Sequence, residues 1–215
     1  MALLVQTGKA PVPTTQQQVA LLLREKSNIE KCPDIRTHEM GWYISCGSVL
    51  VPAAASRSNS KVKFCMPAPQ SCAMLHTHPM EGAKLPSYPA LMSSEDVAGW
   101  LNCSRFGGLR FFHIATIGFD GKVMGFSSYA GDEKFFALGG GSSDSPYYAY
   151  FLDRIISSIK RQTGFSDKKT IVGHFIRHGF FTETITPADG YAYDEEVASF
   201  RPAGGQNGAK PGAFK

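Results

Sequence analysis

The chain has 215 residues, 43% of them hydrophobic and 19% charged, with a net charge of +4. Folding at this length buries roughly 70% of the unfolded surface, so the core needs no disulfide or structural metal, and any bound metal is free for chemistry. Five cysteines (Cys32, Cys46, Cys65, Cys72 and Cys103) form an odd set without a CxxC pair, which excludes a zinc ribbon and a fully paired disulfide framework and fits a reducing compartment. The basic residues are scattered. Their densest cluster, Lys160-Arg161 followed by Lys168-Lys169, reads as a solvated helix end and not as a nucleic-acid face. The first residues lack a secretory pattern and no apolar run reaches the ~18 residues of a membrane span. The expectation is a soluble cytoplasmic protein with no membrane or nucleic-acid partner, export by a signal-independent route remaining open.

In chain order, Pro11 and Pro13 mark residues 1–13 as an extended leader. A helix follows from Thr14 or Thr15 to about Ile29, with Val19, Leu22 and Leu23 as its apolar stripe and Leu21 broadening it. Cys32-Pro33-Asp34 breaks it. Trp42 to Ile44 and Val49 to Val51 predict strands on either side of Gly47-Ser48. Ser56 to Ser60 reads as a polar loop, Lys61 to Met66 as a strand, and Cys72 to His78 as a further strand ending at Pro79. A helix is predicted from Ser93 to about Cys103. Two strands, Leu109 to Gly118 and Lys122 to Tyr129, flank Asp120-Gly121, a pair suited to the positive φ values of a tight hairpin turn. Gly139 to Ser143 reads as a linker, Pro146 to Gln162 as a helix, and Thr170 to Phe181 as a helix or strand. Residues 201–215, rich in Gly and Pro, predict a disordered tail. Strands bracketed by early and late helices predict an α/β fold around one sheet.

Leu75-His76-Thr77-His78-Pro79 is the strongest local feature. Residues two apart on a strand point to one face, so His76 and His78 project together, their Cα atoms ~6.6 Å apart, while Thr77 turns away. That spacing suits two rings converging on one zinc ion, although two polar residues at a strand end would read the same way. Downstream, Ser93-Ser94-Glu95-Asp96 precedes the apolar Val97, Trp100 and Leu101. It has the form of a capping box. The same helix start can present Asp96 as a third ligand and Ser93 as an oxyanion partner. Two histidines and a carboxylate leave one zinc position open, as hydrolytic sites require. Glu39, at the start of the first predicted strand, is the candidate acid/base.

An early-strand Glu, then His-x-His-Pro, then Ser-x-x-Asp opening a helix together resemble the JAMM/MPN (JAB-type) metallopeptidase family, prokaryotic type, over about residues 39–129. The resemblance implies an MPN-like (cytidine-deaminase-like) α/β fold, a curved mixed sheet flanked by helices, with residues 14–200 as one catalytic domain carrying a C-terminal helical extension. It implies zinc held by His76, His78 and Asp96, Ser93 as oxyanion partner and Glu39 as acid/base. The implied reaction is hydrolysis of peptide or isopeptide bonds, with a protein or peptide substrate such as a ubiquitin-like conjugate. The residues also leave open a toxin, processing or wall-active peptidase, and a non-catalytic MPN-like binding scaffold. The interval from Met80 to Met92 is longer than the family's usual gap and is expected to form an insertion loop, a candidate lid.

Other pairings fail as sites. His38-Glu39 lacks the second histidine of a zincin, because Trp42 stands there. Cys72 and His76 lie ~13 Å apart on one extended strand, too far for a nucleophile and its base. His174 and His178 read as an ordinary helix pair, and His113 as a core histidine or one supporting a ligand from behind.

Overall fold

A computed structural model describes residues 13–46, 48–53, 55–58, 61–64, 70–80, 88–138, 157, 161 and 168–204. Four helices are described: α1 (Thr15–Glu30), α2 (Ser94–Gly107), α3 (Glu133–Ala137) and α4 (Lys168–Arg177). The strands are β1 (Gly41–Ser45), β2 (Leu50–Pro52), β3 (Ala55–Ser58), β4 (Lys61–Phe64), β5 (Ser71–Pro79), β6 (Phe111–Ile117), β7 (Val123–Gly131), β8 (Phe181–Pro187), β9 (Tyr191–Asp194) and β10 (Ser199–Pro202). Six of them form one mixed sheet in the order β2-β1-β5-β6-β7-β8. Only β5 and β6 run parallel, joined by a crossover that contains α2. Helices cover both faces, which is why β5 and β6 are buried at every position and read as nearly continuous apolar runs.

On one face, Leu21, Leu22 and Ile29 of α1 pack against Trp42, Ile44, Leu75, Phe111, Ala115 and Phe126. The stripe differs from the expected one. Leu23 is 41% exposed, and the buried positions are Gln18, Leu21, Leu22 and Ile29. Gln18 escaped an apolar count because it is polar; its side chain is satisfied inside the layer by the His113 Nε2 (3.2 Å) and the Cys72 Sγ (3.8 Å). His113 closes its other nitrogen against the Ser128 Oγ at 3.0 Å. It therefore stands on the α1 face as a core histidine, behind the sheet from His76 and His78. Thr14 starts α1 through a capping box with Gln17.

On the opposite face Trp100 of α2 is the hub. Its ring lies 4.5 Å from Phe135, 5.8 Å from Phe112 and 5.9 Å from Phe181 between centroids, and its Nε1 donates to the Leu109 carbonyl at 3.1 Å. Ile171, Val172 and Phe175 dock α4 onto the same cluster. Gly108, at φ 62°, ends α2 in the left-handed conformation that glycine adopts without a Cβ penalty. Gly121, at φ 79°, turns β6 into β7 as the Asp-Gly pair predicts.

Four expectations change. Ser56 to Ser60 is not wholly loop, because β3 pairs antiparallel with β4. The 170–181 segment is helix only to Arg177, and Phe181 already begins β8, which adds to β7 as an edge strand of the main sheet. The helical extension is thus mixed, since β9 and β10 form a further hairpin reaching Pro202, into the stretch expected to be disordered. Of the expected 146–162 helix only residues 157 and 161 are described, both helical; its remainder and residues 205–215 lie outside the described residues, as do 1–12. No helix among the described residues is long and apolar enough to cross a membrane.

Burial pushes the His113 pKa down to about 3, so it stays neutral in the fold. An unfolded histidine titrates near 6.5, so between about 6.5 and 3 the unfolded chain binds the extra proton and stability falls as pH falls. This one group costs about 1.4 kcal/mol per pH unit in that window. Urea unfolding from pH 7 to 4 is expected to show a slope shallower by about one proton in His113→Gln than in the wild type.

Candidate metal centre

Strand register builds the site row by row. Gly41, His76, Ile114, Ser127 and Ile185 align across β1, β5, β6, β7 and β8. The next row holds His78, Thr116, Gly125 and Pro187. On the β1 side the Thr77 amide donates to the Met40 carbonyl at 3.0 Å and the Met40 amide to the Thr77 Oγ1 at 2.8 Å. Half-buried Glu39 lies just before this point, beyond the end of the β1–β5 register at Gly41 and His76. Gly41 places no side chain beside His76.

The imidazoles are deep, at 3% and 4% exposure for His76 and His78. Their rings lie 4.6 Å apart, and Phe112 meets His76 edge-on at 5.2 Å. The His78 Nδ1 lies 2.7 Å from the Pro89 carbonyl oxygen. A carbonyl only accepts, so Nδ1 carries the proton and, in the neutral ring, the Nε2 lone pair points into the site. Burial pushes His78 down to about 3, and burial likewise lowers His76, so both rings are neutral near pH 7.

Ser93 is the N-cap of α2. Its amide and hydroxyl donate to the Asp96 Oδ2 at 2.6 and 2.8 Å, and the Asp96 amide donates back to the Ser93 Oγ at 3.1 Å. The capping box and the site are one structure. Burial opposes the charge on Asp96, but the neighbouring imidazoles and the two Ser93 hydrogen bonds outweigh it and hold the carboxyl below its usual range. The Asp96 Oδ1 lies 3.7 Å from the His76 Nε2, and Oδ2 lies 3.7 Å from the His78 Nε2. Both separations are too long for hydrogen bonds.

His76, His78 and Asp96 thus each offer a ligand atom within 4.8 Å of the others, a group able to hold a metal ion. The two 3.7 Å gaps end on different Asp96 oxygens, so one oxygen facing both rings across the ~3.3 Å edge of a tetrahedral site would need the carboxylate to turn as well as close. Thr116, beside His78 in the ladder, adds a buried hydroxyl that has no hydrogen-bond partner among the described residues.

Lys168 was not anticipated at this site. Burial lowers its pKa, while Asp96, Glu39 and Glu95 raise it and its charge is felt at both imidazoles. The Lys168-Lys169 pair is therefore not a uniformly solvated helix end: Lys169 is exposed and donates to the Glu195 carbonyl at 2.8 Å, whereas Lys168 is half-buried among the acids. A lone lysine beside a solvated twin carries no sequence signal that would separate the two. His174 on α4 and His178 just past its end hold tilted rings 4.4 Å apart, and neither belongs to this group of ligand atoms.

The described end of the expected insertion loop turns inward. Ala90, Leu91 and Met92 are buried, the Tyr129 hydroxyl donates to the Ala90 carbonyl at 3.3 Å, and Pro89 orients His78. Residues 81–87, where a lid would lie, fall outside the described residues.

Comparison with known proteins finds no matching family model, no matching curated protein and no matching solved structure. The chemistry of the site itself therefore carries the assignment.

Ser93→Ala is expected to remove the cap and one donor to Asp96 together. Urea unfolding should show a loss of about 1 kcal/mol, and competition titration a zinc affinity lower by roughly 10–100-fold. Ser93→Thr should restore most of both.

Proposed function

We propose that the chain is a zinc-dependent peptidase of the JAMM/MPN type that hydrolyses a peptide or isopeptide bond, with His76, His78 and Asp96 as ligands. One observation carries this reading. The neutral His78 Nε2 lone pair and the Asp96 Oδ2 face each other at 3.7 Å in a buried setting. Two electron-rich atoms held so by their own hydrogen bonds call for a cation between them. Charge supports it: the Asp96 carboxyl is held below its usual range and stands ionised beside two neutral imidazoles. Two nitrogens and one carboxylate oxygen suit zinc.

Zinc, when bound, supplies Lewis acidity and lowers the pKa of its water to about 7. The chain's own residues do the rest. Glu39, half-buried just before β1, takes the proton of the attacking water and returns it to the leaving amine, the two halves of one acid/base cycle. Ser93, at the positive end of α2, turns its one hydroxyl proton from the Asp96 Oδ2, which holds it in the resting site, to the oxyanion as charge develops on the scissile carbonyl. The Pro89 carbonyl keeps the His78 ring turned for ligation. Protein conjugates joined through lysine, including ubiquitin-like ones, are the leading substrate class, because the resemblance runs to enzymes of that chemistry.

Protein purified without chelators is expected to contain about one zinc per chain by elemental analysis, and Asp96→Ala to hold far less. Glu39→Gln should keep the zinc and lose roughly 10²–10⁴-fold in turnover of an isopeptide-linked ubiquitin-like dimer. A zinc-free wild type with an intact fold would falsify the site; full activity in Glu39→Gln would remove its acid/base role. A zinc-loaded wild type that binds a conjugate without cleaving it identifies a scaffold instead.

A further inference from the structure

The α1 face of the sheet holds a second cluster with chemistry of its own. Between β1 and β5 the register shifts, Ile44 pairing with Ala73 but Ser45 with Ser71, so Cys72 is an extra residue in its strand. Such a bulge turns two successive side chains toward one face. Cys72 therefore joins Ala73 in the layer beneath α1, breaking the strict alternation that would send it toward Met74. Cys46, just past β1, is tied back by its amide to the Gln70 carbonyl at 2.8 Å and packs against the same layer. The Cys46 bond to Gln70, two residues before Cys72, and the shared layer bring the two thiols into one neighbourhood, and Cys46 adds to the burial that raises the Cys72 thiol.

Their environments differ in the way an oxidisable pair requires. Cys46 is half-buried and lines a surface cleft between α1 and the β1–β2 connection, where Gln17, Arg24 and Ser48 form other parts of the wall. Cys72 is 3% exposed and lies behind it, with the Gln18 amide 3.8 Å from its sulfur. Burial pushes the Cys72 thiol up to about 12, so it is no initial nucleophile. Reagent reaches Cys46 first.

We propose that Cys46 and Cys72 form a peroxide-oxidisable dithiol, an oxidative modification site separate from the metal centre. The Cys46 sulfur attacks a peroxide oxygen, the O–O bond breaks, and Cys46 becomes a sulfenic acid with release of one water from hydrogen peroxide. The Cys72 sulfur then attacks the sulfenic sulfur; its proton leaves with the displaced hydroxyl as a second water. Two thiols lose two electrons and two protons in all, the peroxide takes them, and a disulfide remains. The bond would clasp β1 to β5 at the end opposite Glu39, His76 and His78, because both strands run their full described length between the two sites.

The test treats the full chain with stoichiometric hydrogen peroxide, blocks remaining thiols with iodoacetamide under denaturing conditions, and maps peptides by mass spectrometry. The expected product is 2 Da lighter before alkylation, carries two fewer alkyl groups, and yields a 46–72 cross-linked peptide that reductant abolishes. Cys46→Ser should lose the cross-link and leave Cys72 alkylated; Cys103→Ser should keep it. A cross-link to any other cysteine, peroxide-resistant thiols, or Cys46 passing to sulfinic acid while Cys72 stays alkylatable would each overturn the proposal. The wild-type map alone decides it, whether or not Cys72 variants fold.

Discussion

Two imidazoles on the central strand of a sheet covered on both faces impose the constraint around which this structure is organised. Burying a polar ring without partners is costly, and burying a charged one more so. The rings therefore stay neutral, and each nitrogen needs a defined role. His78 meets that demand on one side with the Pro89 carbonyl. On the other side it faces the Asp96 carboxylate, itself buried and fixed by Ser93. The chain before α2 is shaped by these needs: Pro89 must reach β5, and Ser93 must cap the helix where Asp96 can turn back to the histidines.

The same sheet solves the problem of a buried histidine in a second way on its other face. His113 has both nitrogens within 3.2 Å of partners, Gln18 and Ser128, and the arrangement is closed. His78 has its Nδ1 on the Pro89 carbonyl, but its Nε2 stands 3.7 Å from the Asp96 Oδ2, and that side of the ring is open. Side-chain type does not distinguish the two faces; distance does. A hydrogen bond ends near 3.2 Å for these atoms, whereas two ligands sharing a metal stand farther apart because the ion lies between them.

Much of this was legible in the sequence because the interactions involved are local. His76 and His78 share a face through the two-residue period of a strand, and Ser93 with Asp96 follows from the geometry of one helical turn. What escaped depends on contacts between distant segments. Gln18 looks like a surface residue until His113, 95 positions away, supplies its partner. Lys168 resembles its exposed neighbour until α4 docks on the Trp100 cluster. β8 to β10 carry only short, mixed burial patterns, such as the alternating one of β8, because they lie at the edge of the sheet or outside it. The Cys72 bulge is invisible to any strict alternation rule, since one added residue reverses the face of every later position in its strand.

Lys168 makes the electrostatic design of the centre asymmetric. An ammonium beside a site for a divalent cation would weaken binding if it acted alone. Here it lies among Glu39, Glu95 and Asp96, all of which raise its pKa against the burial that lowers it. Of the three acids only Asp96 offers an oxygen to the group formed with the imidazoles, and Glu95 is exposed, so the lysine offsets negative charge at the rim of the centre. The Asp96 carboxylate keeps its place because the Ser93 amide and hydroxyl hold it, not because the lysine does. A cation between the rings and that carboxylate would therefore meet one anionic ligand whose position is set by the start of α2, and the lysine would stand outside the group of ligand atoms.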